Sequence, residues 1–343
     1  MPLLNFPVEE KPRTNRGDYR IVHLSDFHYD GKNEGLLATV MGYLIDIGPH
    51  FIVVTGDIVD GPTYDFSVPA AMLKNATKDI ERFFGFEPVL RVVPGNHDLF
   101  YRGTYGLRRT GKFYEAFGQE LRGNYFSPDV PIAIATFDSN QLFEPRGGLW
   151  RKGVQLVRFM SHGLIIERDL DAFSDWARGL ERSEEAQSFR RSFKIALLHH
   201  HPMPTKYDFL PRLADESFMM LESAGTFLYR LTKEKFDLIL HGHRHYPQFC
   251  RASYFDHDGV ESQIAVLGCG SSAKRSDEWT RSVGRNFNVI TLRPDGSVWA
   301  TQYFQRGKRD FLPAVRDIRI RGPLLGNAYD NSTIERSTGT NGR

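Results

Sequence analysis

The chain has 343 residues, 41% of them hydrophobic, a formal net charge of +2, and two cysteines. The near-neutral balance gives no reason to expect a polyanionic partner, and Cys250 and Cys269, outside any CxxC pattern, exclude a disulfide framework. A chain this long can bury roughly 75% of its extended surface without staples, and no apolar run approaches the ~18 residues of a membrane span.

Residues 1–18 are polar and proline-rich, without the basic start and continuous apolar core of a signal peptide, so the expected location is the cytoplasm. Residues 20–24 predict a short buried strand ending at Ser25-Asp26. A helix is expected from about Glu34, with Asn33 as N-cap, an apolar face of Leu36, Leu37, Val40, Met41 and Leu44, and a stop at Gly48-Pro49. Residues 51–54 are apolar throughout, as a central parallel strand requires. A second helix over 69–83 and a strand over 89–93 follow, and the stretch 99–109 reads as a long exposed loop before a helix near 112–117. Strand, helix, strand, with a polar motif after each strand, predicts an α/β fold whose sites lie outside the carboxyl ends of its strands.

Further along, 132–137 predicts a strand and 141–165 mostly loop. A helix over 168–180 then runs into a charged connector, 181–191. A strand over 195–198, a helix over 215–231 and a strand over 236–240 complete the alternating part. The strands 262–267, 287–292 and 298–304 lack long helices between them, and Pro294-Asp295-Gly296 marks a hairpin, so the second half is expected to become antiparallel. The expected organisation is an extension over 1–18, one domain over 19–310, and a C-terminal extension over 311–343, mobile after about 320.

The polar motifs carry the chemistry. Gly95-Asn96-His97-Asp98 places an amide, an imidazole and a carboxylate on successive residues after a buried strand. An amide oxygen can complete an oxygen-and-nitrogen ligand set while the neighbouring imidazole stays free for proton transfer. Asp26 and His28 share a direction if the backbone between them is extended. Asp57, released from its strand by Gly56, is placed to bridge two cations; Asp60 reads as a supporting or helix-capping group. Of the run His199-His200-His201, one is expected to be a ligand, and His243 and His245 again share a direction. Each pair alone is an ordinary loop feature, but several strand-end clusters in one chain are not.

Together Asp26-Phe27-His28, Gly56-Asp57-Ile58-Val59-Asp60, the GNHD motif, the run His199 to Pro202 and Gly242-His243-Arg244-His245 resemble the calcineurin-like metallophosphoesterases, in order, over residues 26–245. The resemblance implies a four-layer αββα sandwich with mixed sheets and a two-metal site. It implies Asp26, His28 and His245 on one metal, Asn96, His200 and His243 on the other, and Asp57 between them. His200 is selected because it stands two positions before Pro202. His97 becomes the acid or phosphate contact, oriented by Asp98, in hydrolysis by metal-activated water. The O/N ligand set fits two divalent transition ions, Mn, Fe or Zn. Substrate contacts are expected from Tyr29, Arg102, Tyr105, Arg108, Arg109 and Arg244.

The layout is most similar to the bacterial cyclic-nucleotide-phosphodiesterase-like branch, which implies a small phosphodiester or nucleotide-type substrate. A phosphomonoesterase is the alternative. A nuclease would want a longer basic stripe than Arg108-Arg109 supplies, and a non-catalytic scaffold would be expected to have lost ligands. No membrane partner is expected, nucleic acid is not favoured, and the oligomeric state is left open.

Overall fold

The computed structural model describes residues 17–100, 111–141, 162–204, 220–255, 259, 261–275, 283–305 and 310–322. Two six-stranded mixed sheets face one another. The first runs β12-β11-β10-β1-β2-β3, with β1 (Tyr19–Leu24), β2 (Phe51–Val54) and β3 (Val89–Val92) parallel and β10 (Arg285–Leu292), β11 (Val298–Gln305) and β12 (Leu312–Arg321) added antiparallel. The second runs β4-β5-β6-β7-β9-β8. Here β5 (Ile132–Thr136), β6 (Phe193–Leu197), β7 (Leu238–His241) and β9 (Glu261–Gly268) are parallel, and β4 (Tyr125–Phe126) and β8 (Gln248–Phe255) are the antiparallel edges.

The all-apolar strands explain the layering. In β2, Phe51 and Val53 point into the space between the sheets, with Ile134, Ile195, Leu197 and Leu240 of the second sheet. Ile52 and Val54 point the other way, under α1 (Glu34–Ile47) and α2 (Ser67–Phe84), where they meet Leu37, Leu44, Leu73 and Ile80. A period of two on a strand apolar on both faces yields two cores. The next helices are short: α3 (Asn96–Leu99), α4 (Lys112–Ala116) and α5 (Gln119–Arg122). On the outer face of the second sheet, α6 (Glu167–Glu181) and α8 (Ala224–Lys233) cover Ala135, Ala196, Leu198 and Ile239 with Leu170, Phe173, Phe227 and Leu231; α7 (Ala186–Arg191) lies between them in sequence. This is the αββα sandwich.

Several expectations are corrected. The connector 181–191 holds α7, and β8 and β12 were not anticipated. The helix expected over 215–231 begins at Ala224; residues 220–223 are not helical, and 215–219 lie outside the described residues. Asn33 does precede α1, but its side chain makes no cap. Its amide donates to the carbonyls of Phe27, His28 and Ala273 instead. Gly48 closes α1 in the left-handed conformation, as its position predicts.

Candidate metal centre

Every ligand-type residue lies just beyond the carboxyl end of a parallel strand, Asp26 after β1, Asp57 after β2, Asn96 after β3 and His199 after β6, while His243 and His245 follow β7. The loops lie against each other through backbone bonds: Asp26 N–H to Gly56 O at 3.0 Å, His28 N–H to Asp57 O at 2.9 Å, and Gly242 N–H to His199 O at 3.1 Å. Asp26, His28, Asp57, His243 and His245 all have positive φ, between 44° and 75°. The extended backbone expected between Asp26 and His28 is therefore absent. Left-handed conformations at non-glycine residues cost on the order of 1–3 kcal/mol each and persist only where the surroundings impose them. Gly56 and Gly95 permit the approach of two loops: a Cβ on Gly56 would stand 2.5 Å from Gly95 N, and one on Gly95 only 2.1 Å from Asp57 Oδ1.

Two clusters result. In the first, His28 Nδ1–H donates to Asp60 Oδ1 at 2.9 Å, which leaves Nε2 bare toward the centre. That nitrogen is 2.8 Å from His245 Nε2, 3.6 Å from Asp57 Oδ2 and 3.9 Å from Asp26 Oδ1. In the second, His199 Nδ1–H donates to Thr55 O at 2.7 Å, which turns its Nε2 toward the centre. It meets Asn96 Oδ1 at 3.0 Å, His243 Nδ1 at 3.1 Å and Asp57 Oδ2 at 3.4 Å. Asp57 Oδ2 thus belongs to both clusters, while its Oδ1 accepts the His97 N–H at 2.9 Å.

Electrostatics follow from this crowding. Burial alone would raise the Asp57 carboxyl, but the imidazoles of His199, His97 and His28 outweigh it and hold it well below the usual carboxylate range. Burial would lower His199, yet the Asp57 carboxylate raises it to about 9, a proton that a cation held in this cluster would have to displace. His28 and His243 are driven well below the ordinary imidazole value, first by burial, which keeps them neutral as ligands must be. Lone pairs of nitrogen and oxygen converging from buried groups, with their outer ring nitrogens tied to Asp60 and Thr55, suit borderline transition cations. The residues present fit two such ions.

The structure does not bring all the expected residues together. His199, not His200, faces Asp57 and Asn96. Ser139 Oγ accepts the N–H groups of both residues, at 3.3 and 3.2 Å, and donates to His200 Nδ1 at 2.8 Å, holding that ring aside. The histidine that faces the cluster thus stands three positions before Pro202, not two. Asp98 does not touch the His97 ring either. Its Oδ1 takes the N–H groups of Ile58 and Val59 and its Oδ2 that of Gly95, so it clamps two ligand loops together. His97 is oriented by the carbonyl of Asp60, 3.1 Å from Nδ1, and its ring stands edge-on to His28, half-buried. Tyr29 is buried in the core beneath α1 and α2. Arg244 is 5% exposed, and burial lowers its guanidinium to about 10. Arg102, Tyr105, Arg108 and Arg109 lie outside the described residues. Missed from the sequence were the supports Thr55 and Ser139 and the stretch 269–275, none of which carries a motif.

A four-layer sandwich that gathers carboxylates, imidazoles and an amide oxygen at the ends of its parallel strands is the arrangement of a metal-dependent phosphoesterase. The sequence of residues 19–247 matches the calcineurin-like phosphoesterase family, and the chain belongs to that family. No curated sequence matches it. Among solved structures, it resembles a dimetal phosphatase from Danio rerio at 13% identity and a TM-score of 0.55, with 88% of this chain and 98% of that one covered. It is also similar to GAP50, the anchor in the inner membrane complex of Plasmodium, at 15% identity and a TM-score of 0.49, with 90% of each chain covered. The first of these supports the fold. Among the described residues, no helix is long and apolar enough to cross a membrane.

Proposed function

We propose that the protein hydrolyses a small phosphodiester, with Asp26, His28, Asp57 and His245 holding one divalent cation and Asp57, Asn96, His199 and His243 the other. The observation that carries this reading is the place of Asp57 Oδ2, 3.6 Å from His28 Nε2 and 3.4 Å from His199 Nε2, where one carboxylate oxygen serves both ligand sets. Two cations bound there supply Lewis-acid polarisation of phosphoryl oxygens and acidification of water.

The chain's own residues do the rest. His97, with Nδ1–H given to the Asp60 carbonyl, presents Nε2 at the half-open side of the centre. There its proton can pass to the oxygen of the departing alcohol. Asp98 and Asp60 keep that geometry by fixing the loops on either side. The diester preference rests on the layout, a helix after residue 168, the run His199 to Pro202 and antiparallel C-terminal strands, which is most similar to the cyclic-nucleotide-phosphodiesterase-like branch.

Matched substrates test it, with kcat/KM for bis(p-nitrophenyl) phosphate compared with that for p-nitrophenyl phosphate and with DNA. The diester is expected to be the better substrate. A monoester preference of tenfold, about 1.4 kcal/mol in the transition state, would overturn the diester reading. Salt-sensitive DNA cleavage would favour a nuclease.

A further inference from the structure

The residues that follow β5 carry none of the ligands assigned above, yet they are tied to both sheets at the level of the centre. Asn140 is fully buried, and its Nδ2–H groups donate to Pro94 O at 2.8 Å and to Asp138 Oδ1 at 3.1 Å. Two acceptors on one side of the amide fix which of its end atoms is the nitrogen. Asp138 Oδ1 also takes the Asn140 N–H at 2.9 Å, and its Oδ2 takes the Tyr114 hydroxyl of α4 at 2.8 Å. Between the two, Ser139 Oγ accepts the N–H of His199 at 3.3 Å. Residues 138–140 therefore hold the loop before Asn96 and the backbone of His199, one from each sheet.

Pro94 O and Gly95 N–H belong to one peptide plane. Asn140 donates to its carbonyl, and Asp98 Oδ2 accepts its N–H at 2.8 Å. Asp98 ties that plane to the loop after β2 through the Ile58 N–H, and Asn140 ties it to the opposite sheet. The restraint matters because residue 95 has to be glycine: a Cβ there would run into the Asp57 carboxylate. Glycine permits this approach but leaves the backbone freer than any other residue does. Its conformation is extended, with φ −95° and ψ 174°. Rotation of the plane before it would carry Asn96 Oδ1 away from His199 Nε2 and His243 Nδ1, which stand 3.0 and 3.1 Å from it.

We propose that Asn140 is a positioning residue for the second cation, acting through the Pro94–Gly95 peptide to keep Asn96 Oδ1 in place beside His199 and His243. The proposal rests on the two-cation reading above. The first cluster stands on other loops, Asp26 and His28 after β1 and His245 after β7. Removal of the Asn140 amide therefore weakens one ion and spares the other, whereas a general loss of packing would weaken both.

The test uses the full-length protein, freed of metal and titrated calorimetrically with Mn, as wild type, Asn140→Ala, Asn140→Ser and His199→Ala, with Asn75→Ala, an exposed residue of α2, as control. Wild type and Asn75→Ala are expected to show the same two binding steps. In Asn140→Ala one step should weaken by about tenfold to hundredfold, the range for removing a support behind a metal ligand. The step left unchanged should be the one that survives in His199→Ala. Asn140→Ser retains a donor and should fall between Asn140→Ala and wild type; it carries the test alone if Asn140→Ala does not fold. Both steps weakened alike, or neither weakened, overturns the proposal. A wild type that takes up fewer than two ions defeats the two-cation reading and the proposal with it. A wild type with two ions beside an unaltered Asn140→Ala defeats only the role of Asn140.

Discussion

His199 and His200 are adjacent, equally buried, and separated in role by one hydroxyl group. Ser139 engages His200, so His199 is left to meet Asp57, Asn96 and His243. His199→Ala is expected to lose at least one metal equivalent and nearly all activity, while His200→Ala keeps its metal and pays mainly in thermal stability. His97→Ala is expected to keep its metal too, with turnover down by about 10² to 10⁴, the range for a positioned acid. Elemental analysis beside single-turnover kinetics separates the three. A metal-free His200→Ala with a metal-loaded His199→Ala would reverse the assignment. The ligand types were legible in the sequence because carboxylate, imidazole and amide recur directly after apolar strands. Which histidine of the run turns inward was not, because the choice is made by the Ser139 hydroxyl, which comes from another strand end and carries no motif.

At the scale of elements, legibility follows the strength of the periodic signal. The helix α1 and the apolar strands β2 and β6 stand where apolar spacing puts them. The strand β8 has a mixed burial pattern along its length, and β12 carries Pro313, three arginines and register shifts against β11, so neither shows clean alternation. Yet β12 and the residue before it are integral. Phe311 is 1% exposed, packs on Tyr43 and Phe287, and donates its N–H to the Tyr43 hydroxyl at 2.9 Å. A chain ended at residue 310 is expected to lose about 3–5 kcal/mol from that phenylalanine alone and to aggregate through the bared edge of β11. Thermal unfolding checks this, and a wild-type melting temperature would show that the strand contributes nothing.

Over the whole molecule, the two sheets contribute different ligand-type residues to one centre. Asp26, Asp57 and Asn96 come from the first sheet and His199, His243 and His245 from the second. The sheets are held in register by their shared core and by Arg321 at the end of β12, which reaches across to Asp237 at 3.4 Å and lies over the Phe193 ring at 5.0 Å. Ions bound between the sheets would therefore stabilise the sandwich as well as serve catalysis. The central claim is that Asp57 serves two cations at once. Elemental analysis of the metal-reconstituted protein and of Asp57→Ala tests it most directly. The expected result is two transition metal ions per wild-type chain, with both sites weakened together in Asp57→Ala. One ion per wild-type chain, or an Asp57→Ala protein that still holds two, would contradict the account.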